Sequence, residues 1–345
     1  MPTEPPLRLL LHIGVQKTGS TAIQAALHER RRALLRAGVV DVSQHPWARR
    51  VHHKLGRLEE PDPKLVASIR ASLEAQRDDA RRHGRRLLVW SFEGFAGNSW
   101  RGYLNAPQVA AALRQITADV PTTVAVYLRR QDVFLESLYA QQVFAGQTDA
   151  FDAFVGRFDA RHFDWAWLLD VYAKAFGADA LRPRRYDAKT LLDDFEAAVG
   201  VPLRRPGAAA VRNPSCSAEG IAALRQENDG LDREAQKRFR AAVKRLAPKP
   251  AGKPLVFFAP AQRRDVIERY ASSNASVAQR FFGTTEGVAL FEATPELSGA
   301  EPEIPDAASV RRLVASARRE SALPAWRTKL RACWPWTQRL SRWDV

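Results

Sequence analysis

The chain has 345 residues, 46% of them apolar, and its 53 Lys and Arg against 38 Asp and Glu leave a net charge of +15. This length and apolar share suit one large α/β core with additional helices. No apolar run approaches the roughly 18 residues that a membrane-spanning helix needs, and Cys216 and Cys333 are too few and too far apart for a disulfide framework or a metal site. The opening Met1-Pro2-Thr3-Glu4-Pro5-Pro6 has neither the basic region nor the apolar core of a secretory signal, so a cytoplasmic protein is expected. The positive charge has three readings: Arg-rich exposed helices, attraction of anionic ligands, or nucleic-acid binding. With no Cys/His finger, RNP-like strand or helix-turn-helix signature, no nucleic-acid partner is expected.

In chain order, residues 8–13 read as a buried strand, and Ser20 to Gly38 as a helix that the glycine stops. Val39-Val40-Asp41-Val42 is a short strand. A basic loop then carries His45, His52 and His53, and a helix runs through Leu65, Ile69 and Leu73. Arg86 to Phe92 is a second long buried strand ending at Glu93-Gly94-Phe95. A helix near 107–118 leads to a strand at 122–128, followed by a helical pattern through Phe134, Leu138 and Gln142. Trp165 to Phe176 reads as a helix, and Ala180 to Tyr186 as a strand that Pro183 confines to an edge or a bulge. A helix covers 188–199, and further helices are expected near 217–247, 260–282 and 307–321. This alternation predicts a parallel α/β sheet flanked by helices in three layers, over residues 1–200, with a helical C-terminal lobe at 201–323 and a tail at 324–345.

The segment from Leu9 to Leu27 carries the chemistry. A buried strand meets the loop Gly14-Val15-Gln16-Lys17-Thr18-Gly19-Ser20-Thr21, and a helix starts directly after it. Such a junction gathers unpaired backbone N–H groups at the positive end of a helix dipole, so it predicts an anion of the phosphate type. Gly14 and Gly19 have Walker A spacing, but Ser20 fills the lysine position and Lys17 precedes Gly19. Without a clear acidic strand end to help hold Mg²⁺, an ordinary ATPase or GTPase is disfavoured.

The Lys-Thr-Gly-Ser-Thr loop resembles the 5′-phosphosulfate loop of sulfotransferases that use 3′-phosphoadenosine 5′-phosphosulfate (PAPS). A second motif strengthens the resemblance: the strand 122–128 ends at Arg129, and Ser137 follows eight residues later. In that family an Arg and a Ser at this spacing grip the 3′-phosphate. The likeness is nearest to bacterial members acting on sugars and other hydroxyl acceptors. It implies a P-loop-like fold, PAPS as donor, 3′-phosphoadenosine 5′-phosphate (PAP) as product, and no metal. It further implies that Gln16, Lys17, Thr18, Gly19, Ser20 and Thr21 surround the 5′-phosphate, with Lys17 neutralising the leaving oxygen. Tyr186 is placed at the adenine, and Glu93 as the general base, with His53 as the alternative base. His12, inside the first strand, reads as a core residue.

The tail interleaves Trp326, Trp334, Trp336 and Trp343 with basic residues. This pattern suits first packing on its own domain or a partner subunit, and second a membrane surface or a glycan. The expected partner is a small-molecule or glycan acceptor. Two other functions fit the same loop: a P-loop-type small-molecule kinase, and a non-enzymatic basic protein binding anions or nucleic acid.

Overall fold

The structure is a computed structural model, and it describes residues 6–60, 62–204, 216–248, 255–285, 288–292, 297 and 299–322. The Trp-rich tail lies outside these residues. The chain divides into two compact units that interleave along the sequence. The first draws on residues up to 134, on 156–204 and on 261–297, and the second on 135–155, 216–260 and 299–322.

The first unit is an α/β body. Five strands, β1 (Arg8–Ile13), β2 (Val39–Asp41), β3 (Leu87–Phe92), β4 (Thr122–Leu128) and β5 (Leu181–Arg185), form one parallel sheet in the order β2-β3-β1-β4-β5. β1, β3 and β4 read as nearly continuous apolar runs because both faces of the sheet are covered. Leu10, Val89, Ala125 and Tyr127 pack with Ile23 and Leu27 of α1 (Ser20–Glu29) and with Phe195 and Val199 of a helix at Leu191–Val199. On the other face, Trp90 lies edge-on to Trp47 and Phe95 with ring centroids 5.2 and 4.8 Å away. Pro183 sits in β5, which pairs only with β4, so its missing N–H breaks no ladder.

The helices depart from the expected boundaries in instructive ways. The first breaks at Arg30 into α1 and α2 (Arg31–Arg36), and Gly38 does end it, at φ +75°. The expected basic loop around His45, His52 and His53 is a helix, α3 (Pro46–Gly56). Pro46 suits a first helical turn, and Trp47, Ala48, His52 and Leu55 give it a buried stripe that its basic residues obscure in the sequence. After α3 come α4 (Pro63–Arg82), α5 (Ala106–Ile116), α6 (Gln131–Ala145), α7 (Phe151–Gly156), α8 (Trp165–Phe176) and α9 (Leu191–Val199). The segment 217–247 is two helices, α10 (Ala218–Glu227) and α11 (Arg233–Leu246), because Asp232 caps a new start by accepting from the Glu234 and Ala235 N–H groups. The segment 260–282 likewise splits at Tyr270 into α12 (Pro260–Arg269) and α13 (Ala271–Phe282).

The second unit contains no strand among its described residues. α10, α11 and α14 (Ala307–Ser321) pack together, and Arg318 grips Glu227 through two bonds of 2.6 and 2.9 Å. Glu136 accepts the backbone N–H groups of Phe257 and Phe258, beside a cluster of Tyr139, Phe151 and Phe257 rings. No helix among the described residues is long and apolar enough to cross a membrane.

Candidate anion-binding site

The loop after β1 is shaped by two glycines. The Gly14 N–H donates to the Phe92 carbonyl at 3.0 Å, extending the β1–β3 ladder by one step. A Cβ on Gly14 would then stand 2.5 Å from Ser20 Oγ and 2.8 Å from the Glu93 Cα, so only glycine fits. Gly19 has φ +82°, and a Cβ there would meet Leu191 at 2.2 Å. Between them Lys17 is held at φ +62°, a conformation costing a residue with a Cβ on the order of 1–3 kcal/mol. The buried Thr18 hydroxyl closes the turn by donating to the Val15 carbonyl at 2.7 Å.

α1 starts without a side-chain cap; the Ala22 and Ile23 N–H groups donate to the Gly19 carbonyl, which leaves those of Ser20 and Thr21 facing the loop without an intrahelical acceptor. Ser20 is 3% exposed, and its Oγ has no hydrogen-bond partner among the described residues. A buried hydroxyl left unpaired costs about 1–3 kcal/mol, which a bound oxyanion at this helix start would recover. Thr21, the next residue, is exposed.

Lys17, Glu93 and Arg129 come together here. Arg129 Nη1 donates to the Lys17 carbonyl at 3.1 Å. The Lys17 ammonium and backbone N–H both favour the ionised Glu93 carboxylate. Burial pushes the Glu93 carboxyl above the usual carboxylate range, with Lys17 pulling it back. Burial likewise lowers Lys17 from its ordinary value; Glu93 opposes that shift, and the Arg129 charge adds to it. The Arg129 guanidinium lies 5.5 Å from the centre of the Tyr186 ring, and the Tyr186 N–H donates to the Leu128 carbonyl at 2.8 Å. Tyr186 also reaches the loop, since a Cβ on Gly19 would stand 3.2 Å from its Cε2.

Sequence reasoning missed the aromatic residues that brace this cluster. The Tyr103 hydroxyl accepts the Gln16 N–H at 3.1 Å and donates to the Gln16 side-chain oxygen. Trp165 Nε1 donates to the Arg129 carbonyl at 2.9 Å. Tyr172 donates to the Phe95 carbonyl, and Asn105 ties Asn98, Gly56 and Leu58, so the turn after Glu93 is fixed from both sides. Arg263, 1% exposed, pairs with the buried Asp132 at 2.8 Å, and Asp132 also holds Arg130, the neighbour of Arg129. No local motif marks these residues, because their partners lie far away in the chain.

The remaining predicted residues sort clearly. His53 is exposed on α3, its ring edge-on to Phe92 at 5.8 Å, one residue before Glu93. His52 is buried, accepts the Trp90 N–H at 3.0 Å and stacks on Phe92; burial lowers it to about 4. His12 is a core residue, fully buried, bonded to Ser91 at 2.8 Å and also lowered to about 4 by burial. Ser137 stands on α6 within the second unit, whereas Arg129 belongs to the first.

Strand order explains the position of the cluster. The chain leaves β1 toward β2 and β3, then crosses back to β4 on the other side of β1. In open parallel sheets, ligands bind beyond the carboxyl ends of the strands where the connections diverge. Lys17 follows β1, Arg129 follows β4, and Glu93 follows β3, so all three stand at that crevice. Together they offer two cations, a helix start and one half-buried carboxylate, a set suited to an oxyanion beside a group that gives up a proton.

No family model matches the chain, and no solved structure matches it. The chain is similar to an uncharacterized protein of Archaeoglobus fulgidus, 27% identical over 190 residues. The match covers 53% of this chain and 52% of that protein, so the chain spans about half the length of the curated relative it matches.

Proposed function

We propose that this protein is a PAPS-dependent sulfotransferase that moves a sulfuryl group to a hydroxyl of a sugar, glycolipid or other polar metabolite and releases PAP. The observation that supports it most is the 3.1 Å bond from Arg129 to the Lys17 carbonyl, which brings the two ends of a bisphosphate grip together. The donor set fits a phosphosulfate: the unpaired Ser20 hydroxyl, the helix start, the close approach permitted at Gly14, and the Lys17 ammonium. Gln16 is partly spoken for, since its N–H already donates to Tyr103 and only its side-chain amide remains to meet the anion. In this reading Arg129 meets the 3′-phosphate and Tyr186 the adenine. A cytoplasmic location fits a donor made from ATP.

Glu93 takes the proton of the acceptor hydroxyl as that oxygen bonds to sulfur, while the bond from sulfur to the 5′-phosphate oxygen breaks. Lys17 and the α1 N–H groups stabilise the charge left on that oxygen. Burial raises the basicity of Glu93 and so suits it to the task. His53 is the alternative base, placed beside Phe92 but open to solvent.

The test is a thermal shift with PAP alone against ATP with Mg²⁺, followed by a labelled-sulfate transfer screen over sugars, lipids and phenols. Stabilisation by PAP without metal, and label transfer, are the expected results. Stabilisation by ATP and Mg²⁺ alone would favour a small-molecule kinase, and affinity for nucleic acid that survives moderate salt would favour a binding protein.

A further inference from the structure

Tyr103 is a buried residue that the reaction above leaves unused. It is 1% exposed, with its ring edge-on to Phe163 at 5.4 Å and tilted against Trp165 at 6.3 Å. Its backbone sits at φ +70°, which a bulky residue keeps only where its surroundings dictate it. Those surroundings hold it from both sides: the Tyr103 N–H donates to the Asn98 carbonyl at 3.0 Å, and the Phe163 N–H donates to the Gly102 carbonyl at 3.2 Å. Gly102 itself has φ +57°, and a Cβ there would strike His162 at 2.4 Å. The hydroxyl is therefore fixed by its own loop, independently of the loop after β1.

That hydroxyl spends both its roles on one residue. It accepts the Gln16 N–H at 3.1 Å and donates its single proton to Gln16 Oε1. The first bond pins the backbone one residue before Lys17, at the start of the turn that holds Lys17 at φ +62°. The second engages the oxygen end of the Gln16 amide with the hydroxyl's one proton, which turns the amide N–H₂ away from Tyr103 and toward a ligand.

We propose that Tyr103 is a positioning residue that holds Gln16, and through it the Lys17 turn, in the anion-receiving shape before any ligand arrives, with Gln16 turned to offer N–H rather than oxygen. Only the ligand part of this proposal rests on the sulfotransferase reading. The loop part concerns the protein alone.

Tyr103→Phe removes the hydroxyl and keeps the ring. The control is Tyr139→Phe, which deletes another buried hydroxyl, one bonded to the Asp149 carbonyl at 3.0 Å in the second unit. Hydrogen exchange on the full chain without ligand should show the Gln16 amide exchanging about tenfold faster in Tyr103→Phe, with Leu11 and Leu88 unchanged and no such effect in Tyr139→Phe. In titrations with PAP, Tyr103→Phe should bind about tenfold more weakly, and Gln16→Glu more weakly than Gln16→Ala, because a carboxylate held by Tyr103 would present oxygen to the anion. Unchanged exchange at Gln16 overturns the positioning role whatever the ligand proves to be. Binding of PAP by Gln16→Glu at wild-type strength overturns the orientation of the amide. A wild-type protein indifferent to PAP counts against the sulfotransferase reading alone, and the exchange experiment still decides on Tyr103.

Discussion

Arg129 Nη1 donates to the carbonyl of Lys17 across 3.1 Å, joining residues 112 positions apart in the chain. One bond thus sets the spacing between the end of β4 and the loop after β1. An arginine presents its N–H donors in a planar fork that matches the oxygens of a phosphate. Arg129→Ala should weaken PAP binding by about 10- to 100-fold, the worth of a charge-assisted pair. Arg129→Lys should fall between, since it keeps the charge and loses the fork. Adenosine 5′-monophosphate, lacking the 3′-phosphate, should bind wild type and Arg129→Ala with more similar affinities. Calorimetry on the three proteins checks this, and an Arg129→Ala protein that prefers PAP as strongly as wild type would remove Arg129 from the grip.

The rate should depend on pH through two groups. Burial raises Glu93 above the 4.5 of a free carboxyl, and a base must be ionised, so kcat/KM should climb as pH rises through that raised value. Burial lowers Lys17 below 10.5, and its charge is needed at the leaving oxygen, so kcat/KM should decline as pH rises through that lowered value. The profile is a bell whose alkaline limb falls earlier than an exposed lysine would give. Glu93→Gln should lose turnover by at least about 100-fold while binding PAP near normally. An active Glu93→Gln would transfer the base role to His53.

Gly14 has no room for a methyl group, with Ser20 Oγ 2.5 Å and Glu93 Cα 2.8 Å from the place a Cβ would take. The Ser20 hydroxyl can turn aside, but the Glu93 backbone follows directly on the Phe92 carbonyl that the Gly14 N–H binds and cannot. Gly14→Ala should cost about 1–3 kcal/mol in urea unfolding and displace Glu93 from the loop, lowering turnover more than PAP affinity. Equal losses in both would mean that the loop as a whole had moved.

His12 and His52 both lie near 4 in the folded protein against 6.5 when free. Above pH 6.5 both states are neutral and neither histidine matters. As pH falls from 6.5 toward 4, the unfolded chain takes protons that the folded one refuses, so stability declines by about 3 kcal/mol per histidine by the lower end. Urea unfolding at pH 7, 5.5 and 4.5 should show this decline, and the double variant His12→Gln with His52→Gln should flatten it.

Much of the first unit was legible because strand and helix periods are local. Leu9 to Ile13, Leu87 to Phe92 and Thr122 to Leu128 are strands at nearly the expected bounds, and Pro183 occupies an edge strand as a missing N–H demands. The α3 segment was misread since a run of Arg, His and Lys hides a buried stripe that only packing against Trp90 and Phe92 reveals. In the site, Lys17, Gly19, Ser20, Arg129 and Glu93 could be named from motif order. Tyr103, Trp165 and Arg263 could not, because each acts through a partner at least 36 residues away.

The sequence by itself determined the alternation of strands and helices and the glycine-bounded loop, with its Lys17, at the start of α1. These follow from backbone sterics and side-chain periodicity, which act between near neighbours. The tertiary structure decided that β4 lies beside β1, that the Glu93 backbone closes against Gly14, and that Tyr103 reaches across to Gln16. Strand order and buried polar contacts are set by the chain as a whole, where desolvation and packing act on residues that the sequence keeps far apart.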